Sequence, residues 1–129
     1  MRRIGVVGGS IVAAFLSIAT GAVAGPWEDG MAAYNRGDYV PAIHLFRPLA
    51  EQGHAKAQSV MGMMYRKGEG VARSPARAFI WLRLAAKRGD VKAKADLLEV
   101  SKSMTPEELA QASEMAQACE TSNYRNCEY

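Results

Sequence analysis

The chain has 129 residues, of which 49% are hydrophobic and 22% charged, with a formal net charge of +3. This length suits one domain with a modest core. No long basic run is present, which argues against a nucleic-acid partner, and the two histidines have no Cys-x-x-Cys or His-x-x-x-His companion of the kind a zinc site uses.

The first 24 residues stand apart from the rest. Arg2 and Arg3 precede an uncharged run over residues 4–22, and Ala22-Val23-Ala24 is a small-x-small cleavage site before Gly25. This three-part pattern is that of an export signal, so cleavage after Ala24 and a periplasmic or secreted location are expected. The run is also long enough to persist, uncleaved, as an anchor. No cysteine lies near it to carry a lipid, and no other membrane contact is expected. Loss of the two arginines lowers the net charge from +3 to +1.

The remainder reads as helix. Apolar residues recur at helical spacing among alanine, leucine, methionine, glutamate and lysine. Helices are expected over residues 27–36, 39–52, 55–67, 75–88 and 91–103, and from 106 to about 120. The last has the clearest start: Thr105 caps it, Pro106 suits its first turn, and Glu108 completes a capping box. The short connections predict that each helix packs antiparallel to its neighbour.

The chain also repeats itself. Ala42, Ala50, Gly53 and Ala57 recur as Ala78, Ala86, Gly89 and Ala93 at an offset of 36, and Tyr34 recurs as Tyr65 at 31. Such a period indicates stacked helical hairpins, in which neighbouring units bury what one unit cannot. Ala42, Ala78 and Ala86 would let helix axes approach, while Tyr34, Phe46, Tyr65, Trp81 and Leu82 fill the remaining space. Gly62 costs about 1 kcal/mol of helix propensity, which implies a close helix contact at that point.

One pattern carries a resemblance. Ala57-x-x-x-Met61-Gly62-x-x-Tyr65-x-x-Gly68-x-Gly70-Val71, followed by Ala78-x-x-Trp81-Leu82-x-x-Ala85-Ala86-x-x-Gly89, resembles a Sel1-like repeat, a relative of the tetratricopeptide repeat. The likeness is strongest over residues 57–89 and weaker over 27–54, and residues 93 to about 120 resemble a degenerate third unit. It implies an all-α fold, a short right-handed α-solenoid of antiparallel helix pairs. The units would span about 27–54, 55–90 and 91–120, with a tail over 121–129. It also implies a protein or peptide partner on a concave face built by the first helix of each pair. The exposed positions matched there are Glu28, Asn35 and Arg36, then Ser59, Met63, Arg66 and Lys67, then Lys92, Glu99 and Lys102. Basic residues outnumber acids among them, which favours an acidic or C-terminal peptide. With two and a half units the molecule is expected to be a monomer or a weak dimer.

Gly68-Glu69-Gly70 invites comparison with a phosphate-binding loop. Such a loop follows a strand and is followed by Lys-Ser/Thr, whereas here a helix precedes and Val71-Ala72-Arg73 follows. Gly68 is expected to end a helix at positive φ and Gly70 to turn the loop back, with Val71 tucked between helices. His44 and His54 lack companions at metal-ligand spacing and read as surface or helix-end residues, and no metal or cofactor is expected. Met61 and Met64 read as core, and Met63 as the adaptable side chain facing out. Cys119 and Cys127 are the only cysteines; export would pair them in a structural disulfide that closes the tail. A redox role would call for C-x-x-C spacing.

Catalysis has little to rest on. Cysteine-rich Sel1-like proteins with penicillin-binding or β-lactamase activity carry a cysteine pair in each repeat. The first two units here carry none, and no Ser-x-x-Lys motif is present. A non-enzymatic adaptor is therefore expected, with that enzyme class and a cell-wall glycan-binding protein as alternatives.

Overall fold

The computed structural model describes residues 23–127 together with Gly5, Gly8 and Gly9. The export signal expected over residues 1–24 lies almost wholly outside the described residues. Six helices follow in order: α1 Pro26–Asn35, α2 Tyr39–Glu51, α3 Ala55–Lys67, α4 Pro75–Lys87, α5 Val91–Lys102 and α6 Pro106–Thr121. Each end falls within about one residue of the sequence expectation. Among the described residues there is no strand, and no helix is long and apolar enough to cross a membrane.

Local chemistry explains the boundaries. His54, Ser74 and Asp90 each accept a hydrogen bond from a backbone N–H three residues on, capping α3, α4 and α5. Thr105 and Glu108 form the expected reciprocal box at the start of α6. Gly68 ends α3 at φ +73°, the left-handed conformation that releases a helix into a turn. Gly70 follows at φ +72°, and a Cβ there would stand 2.7 Å from the Tyr39 carbonyl group. The G-x-G turn is thus pressed onto the start of α2, with Val71 packed at the edge of the core. It is a bend between α3 and α4.

The interior is continuous and built from alternating small and large side chains. Ala42, Ala57, Ala78, Ala85 and Ala93 are fully buried beside Phe46, Met61, Met64, Tyr65, Trp81 and Leu82. Gly62 is the close approach that its position implied: a Cβ there would lie 2.6 Å from Leu82 Cγ and 3.2 Å from the Ala78 carbonyl oxygen. Gly30 plays the same part under the Phe46 ring, at 2.6 Å. Ala86 lies at the rim of the core and is only partly buried, so its neighbour Ala85 makes the tighter contact. Gly89 takes φ +93° in the α4–α5 turn.

Helices α1 to α5 pack against their neighbours in sequence, and α3 also touches α5. The last helix departs from the expected pattern. Instead of packing along α5, α6 lies on α4. Ala112, Ala116 and Cys119 form a small-residue stripe at i, i+4, i+7, all buried, which allows close approach. Helix α5 offers less in return, because only Ala93 and Val100 are buried while Val91 and Leu98 are 78% and 66% exposed.

Cys119 and Cys127 are joined, with Cα atoms 4.6 Å apart, and both are buried. The tail between them is pinned to α4: Lys87 Nζ meets Glu120 at 2.7 Å, and the Arg88 guanidinium donates to the Tyr124 hydroxyl at 2.6 Å. Closing so short a loop contributes about 2–3 kcal/mol by chain entropy. Reduction is therefore expected to lower stability by about that amount and to raise hydrogen exchange first in α6 and the tail. Uniform exchange changes across α1–α4 would show that the bridge acts elsewhere.

Candidate functional site: the groove across the first helices

The first helices of the three pairs each present a stripe at helical spacing. On α1 it is Trp27, Met31 and Tyr34; on α3 it is Lys56, Val60, Met63 and Lys67; on α5 it begins at Lys92. Two adjoining cavities lie between these stripes. One, of about 270 Å³, has walls from Trp27 and Met31 on α1, Lys56 and Val60 on α3, the capping residue Asp90, and Lys92 on α5. The other, of about 210 Å³, is bounded by Tyr34, Val60, Met63, Lys67 and Lys92. Ser59, Val60 and Lys92 line both, so the two form one groove along α3.

The floor and rim differ in chemistry. Trp27 is held by stacking on His54, with ring centres 5.1 Å apart, and leans on Phe46 at 5.3 Å. His54 thus caps α3 through Nδ1 and supports the groove wall; His44 is simply exposed. Tyr34 does not fill the core as Tyr65 does. It stands half-buried at the groove's end, packs edge-on to Tyr39, and donates its hydroxyl to Glu69 Oε2 at 3.0 Å. The acid of the G-x-G turn therefore fastens the turn to α1.

Burial, together with the Glu69 carboxylate, pushes the Tyr34 phenol up to about 12 from its ordinary 10.0. The folded state holds this proton more tightly than the unfolded chain. Its stabilising effect is complete below pH 10 and is lost as the pH rises towards 12. Urea titrations of the wild type and Tyr34→Phe should accordingly converge over that window; parallel curves would show that the phenol is uncoupled from folding.

The ten residues matched to the concave face divide clearly. Ser59, Met63, Lys67 and Lys92 line the groove. Ser59, expected to be exposed, is only 6% accessible and forms part of the floor, because the α1 and α5 walls close over it. Arg66 points beside the groove, with its Nε buried and Glu99 near enough to interact electrostatically. Glu28, Asn35, Arg36, Glu99 and Lys102 are exposed but outside the lining. Several charges are already spent. Arg36 pairs with Asp38 at 3.1 Å, Lys92 with Asp96 at 2.6 Å, and Lys102 with Glu99 at 2.8 Å, which holds the Glu99 carboxyl below its ordinary range. Lys56 and Lys67 form no ion pair among the described residues.

Trp27, Met31, Lys56 and Val60 were not expected in the site. Their spacing at i, i+4 on α1 and on α3 was the available signal, but for the apolar three it reads equally well as a core stripe.

A comparison with protein families decides the kinship. Residues 30–54 and 55–90 each match the sequence model of the Sel1 repeat. Residues 30–90 form a Sel1-repeat domain. The match takes in α2, α3, α4 and most of α1; helices α5 and α6 lie beyond it. No curated protein matches the chain. The Sel1 repeat is a non-catalytic scaffold for protein contacts, and among the described residues no group of three His, Cys, Asp or Glu side chains is placed to hold a metal ion. The groove combines Sel1-repeat residues such as Met31, Val60 and Met63 with Trp27 and Lys92, which lie outside the matched range, and it offers shape, apolar surface and charge.

Proposed function

We propose that this protein is an exported adaptor that binds a peptide or protein segment along the groove between α1, α3 and α5. The observation that carries the reading is the groove itself. It joins the first helices of successive units, has an apolar lining of Trp27, Met31, Val60 and Met63, and leaves Lys56 and Lys67 without an ion pair among the described residues. Buried aromatic anchors beside uncompensated rim charges are the features that make binding tight and steered. Export is supported by the signal-like pattern of residues 1–24 and by the Cys119–Cys127 bond, which an oxidising compartment favours. Nothing in the groove favours the β-lactamase-like or glycan-binding alternatives.

A photoreactive amino acid at Met63, in cells expressing the full chain, tests the reading. Crosslinks to a partner are expected there and not with the same group at exposed Val40 on α2. Equal yields at both positions would place the contact outside the groove. Intact mass of the envelope fraction tests export separately; a protein beginning at Gly25 is expected, and a full-length species confined to membranes would refute cleavage.

A further inference from the structure

We propose that the outer face of α5 seats a second copy of this chain, α5 against α5, antiparallel across a twofold axis. This is independent of what the groove holds.

The face is bare and apolar. Ala93 and Val100 turn α5 to the core, with Leu97 packed at its edge. At about 100° per residue, Val91, Ala95, Leu98 and Lys102 fall within an arc of about 60° on the opposite side. Val91 and Leu98 are two of the four exposed large hydrophobics among the described residues, and Ala95 between them is exposed as well. The next helix does not cover them, because α6 lies on α4.

The pattern is complementary to itself. Successive spacings of four, three and four residues are those of a heptad seam. Turned antiparallel, with Ala95 level with the second copy's Leu98, the seam sets small against large at its centre. The stem of Lys102 then crosses the second copy's Val91 at each end. A twofold axis brings the same flank of both helices together. Lys92 and Glu99 share one flank, and in this register each lies within about 3 Å, along the helix axis, of the level of the other in the second copy. Two cross-copy ion pairs follow. Lys92 has three donors, and Glu99 has Oε2 beyond the Oε1 that Lys102 holds, so neither gives up its present partner. A parallel pairing does worse: it opposes Lys102 to Lys102 and Ala95 to Ala95, and it aligns the helix dipoles. A helix of 12 residues offers a face about 18 Å long and about 10 Å wide, small beside the ~800 Å² per partner of a stable interface. The association is therefore weak and reversible.

A photoreactive amino acid at Lys94, exposed beside the seam, tests this in cells expressing the full chain. A crosslink to residues 91–102 of a second copy is expected, and none from the same group at Val40 on α2. Lys92→Glu and Glu99→Lys, each alone, should lower the yield at least about fivefold, since each turns two attractive pairs into repulsive ones. Two charge-matched arrangements should restore it: the double variant with itself, and the two single variants expressed together. Restoration also shows that the substituted chains fold. No crosslink at Lys94, or a crosslink to a different protein alone, would overturn self-association. A crosslink to a second copy that neither substitution lowers, or that no charge-matched arrangement restores, would overturn the antiparallel pairing. Crosslinking at Met63 reads the groove separately, so either result can fail without the other.

Discussion

Trp81→Ala is expected to lower the unfolding free energy by about 3–5 kcal/mol, the range for removing a large aromatic side chain from a packed interior. Trp81 is fully buried on α4, the helix that packs against α3, α5 and α6, so the void would open in the element those three share. The indole N–H makes a second comparison possible. It is buried without a hydrogen-bond partner among the described residues. Trp81→Phe removes that unsatisfied donor along with part of the ring, and should cost distinctly less than the alanine change. Urea unfolding of both variants measures the difference. Equal destabilisation would mean that the N–H is satisfied in solution, and a loss below about 1 kcal/mol for alanine would contradict the packing of α4.

Gly70→Val should be nearly as severe, at about 3–5 kcal/mol. Two effects act together. A β-branched residue resists φ +72°, a strain of about 1–3 kcal/mol, and its Cβ would meet the Tyr39 carbonyl carbon and oxygen at 2.7 Å, where backbone must move. Gly68→Val separates the two effects. It has a similar φ of +73°, but its Cβ would approach Arg73 Cβ at 3.3 Å, a contact that yields more readily. The Gly70 variant is therefore expected to be the less stable by at least about 1 kcal/mol. Adding ATP should shift neither melt, since the turn faces the start of α2 rather than a ligand; a clear shift would revive the phosphate-loop reading.

The helices were legible because their ends are chemical. Glycines at positive φ, Ser74, Asp90 and Thr105 as caps, and Pro75 and Pro106 in first turns act within a few residues of themselves. The disulfide was legible for the simple reason that two cysteines allow one pairing. The groove was legible only in part. Met63, Lys67 and Lys92 could be placed by resemblance, but Trp27 and Val60 carry the same periodic signal whether they face a core or a cleft. What decides is how far α1 and α5 stand from α3, and that depends on Gly30, Gly62 and the alanines together. The seat of α6 was illegible for a similar reason. Its small-residue stripe announces a close partner without saying which, and α4 outbids α5 because α5 turns Val91 and Leu98 to solvent.

The bridge between Cys119 and Cys127 alters how the molecule would bear a pull. Tension applied at Cys127 crosses the sulfur–sulfur bond directly to Cys119 in α6, so the segment over 120–126 stays slack. From there it passes through the Ala112 and Ala116 contact into α4, at the middle of the fold. The Arg88 guanidinium, set between the Gly53 turn and the Tyr124 ring, ties the same region back to the junction of α2 and α3. Tethered by its C-terminal end to a larger assembly, this protein would be hung from its centre, with the groove helices α1 and α3 outside the direct path of the force.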